Sequence, residues 1–220
     1  MSKLVWDQTG ERLYETGIEQ VALYPQVEGA YPAGVAWNGI TALNLTPSGA
    51  EPTPLYANNR KYLTLMSVEE LGGTIEAYTY PPEWAECDGS ATVVPGVFIG
   101  QQARKAFGLV GKTIIGNDTD MNKHGYKLHL VWGGLASPSE QSNATINDSP
   151  EAKTMSWEFS TTPVEVTGYA STSYMCIDST KIAPEKLTEL EKVLYGDADT
   201  EPRLPMPDEI ITLVGGAAAG

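Results

Sequence analysis

A chain of 220 residues is the size of one domain, or of one domain with extended arms, and can bury roughly 70–75% of its unfolded surface without a disulfide or a metal. Apolar residues make up 41%, outside the disordered range, and 22 Gly, 15 Pro and 11 Tyr favour a mainly β protein over a helical bundle. Twenty-eight acids against 14 bases leave a net charge of −14, which argues against phosphate or anionic-membrane binding through clustered Lys/Arg, but not against a surface that nucleic acid slides past.

In chain order, the first twenty residues carry no clear period. Trp6, Leu13 and Tyr14 stand among charges, as in an arm that docks on something. Short strand-like runs follow at 21–24, 35–38 and 40–46, with Asn38-Gly39 between the last two as a hairpin turn signal. Residues 46–59 hold Pro47, Pro52, Pro54 and Gly49, a composition that predicts a long loop and a first candidate for a subunit contact. Strands are expected at 61–65 and 74–80, the latter ended by Pro81-Pro82. Residues 83–123, with glycine at six positions, read as irregular.

Residues 126–132 form a strand with Tyr126, Leu128, Leu130 and Trp132 on one face, and 137–150 a polar loop. The cleanest strand is 154–162, where Met155, Trp157 and Phe159 alternate with Ser156, Glu158 and Ser160; 171–178 follows as its expected partner. One helix is predicted, from Pro184 in its first turn through Leu187, Leu190 and Leu194 to Gly196 as cap. The remainder, 197–220, with three prolines and a Gly/Ala tip, reads as an extended arm.

No motif carries chemistry. Ala106–Thr113 matches a relaxed phosphate loop, but Ile114-Ile115-Gly116 cannot supply the helix that cradles phosphate. Asp118-Thr-Asp120-Met-Asn122 opens like a calcium loop, yet Lys123 and His129 stand where Gly and Glu are needed. His124 and His129 lack the spaced cysteines of a zinc site, and carboxylates around Cys87 oppose a thiolate. No catalytic residue, cofactor or metal is expected. There is no signal-like apolar run at the N-terminus and no stretch near the ~20 apolar residues that cross a bilayer, so the expectation is folding in a cytoplasm with both cysteines reduced.

Several phrases, in order over roughly residues 15–210, resemble the major tail protein family of siphovirus-type, long-tailed bacteriophages. They include Gly34-Val-Ala-Trp-Asn-Gly39, Tyr56-Ala-Asn-Asn-Arg-Lys-Tyr62, Glu70-Leu-Gly-Gly-Thr-Ile-Glu-Ala-Tyr-Thr-Tyr-Pro81, Gly125-Tyr-Lys-Leu-His-Leu-Val131, Ile146-Asn-Asp-Ser-Pro-Glu151 and Ser156-Trp-Glu-Phe-Ser-Thr-Thr-Pro163. The resemblance implies a β-sandwich or barrel-like tail-tube domain with a flanking helix, closing into hexameric rings that stack into a hollow tube in the virion, assembled in the host cytoplasm. It implies as partners further copies of the chain, a tape-measure protein, tail terminator and tail tip proteins, and double-stranded DNA passing without specific binding. The chain looks like the minimal form, one domain without an added immunoglobulin-like one.

On this reading the contacts fall on the 1–20 arm (Trp6, Leu13, Tyr14), the 46–59 loop (Pro47, Pro52, Pro54, Leu55, Tyr56) and the 197–220 arm (Leu204, Met206). Acidity then acquires a use: six copies of −14 make −84 per ring, and acids lining the bore would keep DNA from adhering within the ~8 Å reach of charge at physiological salt. A head-decoration or tail-completion protein, and a sugar-binding β-sandwich using Trp37, Trp84 and Trp132, are the alternatives.

Overall fold

The computed structural model describes residues 3–146, 148 and 152–215. Strand β1 (Tyr14–Pro25) pairs with the two-residue β2 (Val35–Ala36) on one side and with β9 (Phe107–Asn117) on the other. β9 pairs with β10 (Met121–Ala136), whose first half is flanked by β12 (Tyr174–Asp178). The last residues of β10 pair instead with β11 (Met155–Thr161), which leads to β6 (Glu69–Ala77) and β3 (Ile40–Gly49). One antiparallel sheet thus folds over itself into two layers, β2-β1-β9-β10-β12 and β11-β6-β3.

The fold-over is made at Gly133. Register slips by one residue between Val131↔Leu109 and Gly134↔Phe107, the mark of a bulge. Gly133 has φ +65, and a Cβ there would collide with the Thr162 backbone, so only glycine fits.

Alternation then divides the apolar residues between two cores. Leu128, Leu130 and Trp132 of β10, with Val110 and Tyr24, face Leu187, Leu190 and Leu194 of α2 (Pro184–Tyr195) and Ile210 of α3 (Pro207–Gly215). On the opposite face Val21, Leu23, Leu109 and Val131 meet Ile75, Trp157 and Phe159 of the second layer. Trp37 and Trp84 fill the gap between layers, with ring centroids 4.7 Å apart and Trp84 5.6 Å from Trp157. Helices, sheet and sheet make three layers, the mainly β architecture with a flanking helix that the sequence implies.

Several local expectations are corrected. The proline-rich 46–59 segment is not a loop: β3 continues through Pro47, and β4 (Pro52–Ala57) forms a hairpin with β5 (Arg60–Met66). Proline excludes only a ladder donor, and both β3 and β4 are edge strands. Asn58 and Asn59, both at positive φ, make the two-residue turn. Asn38-Gly39 turns the chain, but hands it from the first layer to the second instead of closing a hairpin.

Residues 83–123 are regular for most of their length, forming α1 (Trp84–Asp88), β7 (Ala91–Val94), β8 (Val97–Ile99) and β9. The glycines of β9 admit neighbours where side chains would block them: Leu204 over Gly108, Ile18 over Gly111 and the Tyr14 ring over Gly116. β12 pairs with β10 and not with β11. Residues 14–20 belong to β1, so the N-terminal arm is shorter than expected.

The 197–220 segment is no free arm. Pro202 accepts from the Gly34 N–H, Leu204 bridges to Tyr31, the Trp132 indole donates to the Pro205 carbonyl at 3.0 Å, and α3 follows. Its Gly/Ala tip, and the end of the 137–150 loop, lie outside the described residues.

Candidate functional site

Trp6, Leu13, Tyr14, Pro47, Pro52, Pro54, Leu55, Tyr56 and Met206 are exposed. Leu204 is not: its side chain is sealed in the helix-side core, which removes it from the contact residues. The exposed residues fall in separate places. Leu13 and Tyr14 lie beside the β9–β10 turn, where the Gly10 N–H donates to Asp118 at 2.9 Å and the Tyr14 hydroxyl donates to Asn122 at 2.8 Å; Trp6 stands four residues before Gly10 on the segment that leads there. Pro52, Pro54, Leu55 and Tyr56 belong to β4, and Pro47 to the end of β3 beneath it.

The β4–β5 hairpin hydrogen-bonds with no other strand, and every one of its residues is exposed. Leu55, Tyr56, Tyr62, Leu63, Leu65 and Met66 leave apolar surface open, with Arg60 and Lys61 at the tip. A lone two-stranded ribbon is marginal in water, so such a hairpin acquires its order and its dry surface from a contact. A second hairpin of this kind, β7–β8, was hidden from the sequence reading among glycines, although Val94-Pro95-Gly96-Val97 is a turn flanked by β-branched residues. β5 leads directly into β6 at Glu69, and α1 and β7 follow from its other end at Ala77, so the two hairpins leave the second layer at opposite ends.

The outer face of β3-β6-β11 has a different character. In register across it stand Ala42, Glu76 and Ser156; Asn44, Thr74 and Glu158; Thr46, Gly72 and Ser160; and Ser48 beside Glu70. Acids, hydroxyls and small residues occupy this face, and no Lys or Arg does. It is the inverse of a nucleic-acid interface.

One polar network occupies the uncovered part of the first layer, on the same side as Val131. The Tyr174 hydroxyl lies 2.7 Å from His129 Nδ1, His129 Nε2 lies 2.8 Å from Thr113 Oγ1, and Thr113 donates to Glu15 at 2.7 Å. Because Thr113 spends its one proton on Glu15, it accepts from Nε2–H, which leaves Nδ1 to accept from Tyr174; the neutral imidazole is satisfied at both nitrogens. Lys127 donates to Glu15 at 2.5 Å and holds its carboxyl below the usual range, while burial holds the His129 pKa down. The network ties four strands, β1, β9, β10 and β12, together and opens on no enclosed cleft.

The remaining motifs are absorbed by the fold. Lys112 of the phosphate-loop match lies within β9, its ammonium 4.2 Å from the centre of the Tyr126 ring. In the calcium-like turn, Asp118 is engaged by Gly10 N–H and by Arg12, and Asp120 by Asn117 and His124. Cys87 is fully buried, and that burial, with Glu86 adding to it, pushes its thiol up to about 12. Among the described residues no group of three or more His, Cys, Asp or Glu converges to hold a metal. Trp37, Trp84 and Trp132 are buried, so they present no platform for a sugar. Among the described residues no helix is long and apolar enough to cross a membrane. A comparison with protein-family models finds none that matches the chain, and a comparison with curated proteins finds no relative.

Proposed function

We propose that the chain is a major tail protein of a long-tailed bacteriophage, a non-enzymatic subunit whose six-membered rings stack into the tube that conducts genomic DNA. The observation that carries this reading is the β4–β5 hairpin, an apolar ribbon with no partner in its own chain, which fits a subunit completed by its neighbours. The proline-bearing edge of β3 and the outer edge of β1 before its short pairing with β2 give further surface for lateral contact.

The acid-and-hydroxyl face of β3-β6-β11 suits the wall of a bore. Glu70, Glu76 and Glu158 repel phosphate at close range, and no base there captures it. The tape-measure, terminator and tip proteins would then set the tube's length and ends.

Negative-stain electron microscopy of the purified protein at high concentration tests the proposal. Hollow tubes or stacked six-fold rings are the expected outcome. A closed ring that never stacks would make the chain a connector or completion protein, and monomers that persist even with a tail-tip initiator would sink the tube reading.

A further inference from the structure

The Arg104 side chain makes neither an ion pair nor a hydrogen bond among the described residues, and its Nε is buried without a partner. Arg60, on the β4–β5 turn, is also without an ion pair, but it stands fully in solvent, where water serves it. On the adjoining α1 segment Glu86 pairs with Lys105 at 2.9 Å, and Asp88, which lines the same cleft as Arg104, accepts from the Ser90 hydroxyl at 2.9 Å and forms no ion pair with Arg104. The Arg104 guanidinium packs on Gly89, where a Cβ would stand 3.1 Å from its central carbon, and it lines a cleft of about 520 Å³ with Ser90, Gln102, Ser139 and Trp157. A buried, unpaired donor of this kind costs free energy until an acceptor arrives.

The cleft lies at the base of the β7–β8 hairpin, since Gly100 and Gln101 continue directly from β8 into its lining. That hairpin exposes Val93, Val94, Val97, Phe98 and Ile99. Its complement is elsewhere on the same chain. Leu4, Val5 and Trp6 are exposed and unpaired, and Asp7 follows them with a carboxylate in no ion pair. Apolar run and acid match apolar hairpin and arginine.

The two cannot meet within one subunit. The N-terminal segment is fastened at Gly10 to Asp118, just past the end of β9 at Asn117, whereas Arg104 stands three residues before the start of β9 at Phe107. Eleven strand residues at about 3.3 Å each put roughly 30 Å between these ends, and the few residues from Gly10 back to Leu4 do not span it.

We propose that the β7–β8 hairpin and the Arg104 cleft dock residues Leu4–Asp7 of a second copy of this chain, with Asp7 as the carboxylate that Arg104 receives. Complementary surfaces at opposite ends of a subunit make a heterologous, head-to-tail contact, which joins copies into an open stack wherever its rotation does not close on itself. The inference rests on the self-assembling reading of the protein and names the pair of surfaces that joins one copy to the next.

A photo-crosslinker, p-benzoylphenylalanine, at position 98 of the full chain tests it in concentrated protein, whether or not tubes form. The expected product is an intermolecular cross-link to the peptide that contains Leu4–Asp7. A cross-link confined to any other segment overturns the proposal. In parallel, Arg104→Asp and Asp7→Arg each reduce pelletable assemblies on the order of tenfold, and the double charge swap recovers them. Single variants that assemble like the wild type, or a double swap that recovers nothing although its thermal melt matches the wild type, also overturn it. Failure of the wild type to form tubes counts against the tube reading alone, because the cross-link is scored without them.

Discussion

Gly133 shows how one residue sets the path of the whole sheet. Its positive φ and the bulge beside it carry β10 from the first layer into the second, and the Thr162 backbone occupies the place of a side chain. Gly133→Ala is expected to cost at least about 2 kcal/mol, from left-handed strain plus backbone displacement, measured by urea unfolding. An unchanged midpoint would show that the layers do not depend on this bend. His129 gives a second prediction at this scale. Its pKa is held below the ordinary 6.5 mainly by burial, and that of Glu15 below 4.5 mainly by Lys127. Both unfolded-state values lie above the folded ones, so the stability from each group is fully present above its ordinary pKa and is lost as pH falls through the folded value. The urea midpoint therefore declines as pH is lowered from 7.5 to 5, where the histidine contributes, and declines less in His129→Gln. Neither feature is legible in the sequence: Gly133-Gly134 reads as a strand end, and the network draws Glu15, Thr113, His129 and Tyr174 from four strands.

Elements were legible in the sequence where one periodic face meets one core. Leu187, Leu190 and Leu194 announce α2, and Trp157 and Phe159 announce β11, because a helix stripe and a strand alternation each record burial on one side. The hairpins were not, because exposed ribbons leave no burial pattern, and proline or glycine in them reads as loop. The expected contact loop at 46–59 becomes, in the structure, a strand end plus half a hairpin. Deleting 46–59 would remove the last four pairings of β3 with β6 along with β4, and so damage the second layer for an uninformative reason. Replacing residues 51–67 by a short turn removes β4 and β5 alone. The expected outcome is a thermal melt within a few degrees of the wild type together with loss of tubes; tubes of ordinary length from this variant would remove the hairpin from the assembly. By contrast Leu194→Ala, at a fully buried position of α2 within the helix-side core, costs about 2–5 kcal/mol by calorimetry or urea.

At the scale of the whole molecule the charge is unevenly spread, and the spread has a consequence that composition alone does not supply. A net −14 describes any soluble acidic protein, but pairing register gathers Glu70, Glu76 and Glu158 on one face with hydroxyls between them and no base. If that face lines the bore, changing all three to Lys turns each subunit's share of the wall from three negative charges to three positive, and the change repeats at every subunit down the tube. The proposed assembly contacts lie elsewhere, on the hairpins and edges, so tails of normal length are expected by electron microscopy. DNA release from such particles, followed by fluorescence of an intercalating dye outside the capsid, is expected to slow or stall, and to recover as added salt shortens the reach of the wall charges. Normal release from full-length tails would mean that another face lines the bore. Release that stays slow at high salt would mean that obstruction, and not attraction between phosphate and lysine, holds the DNA.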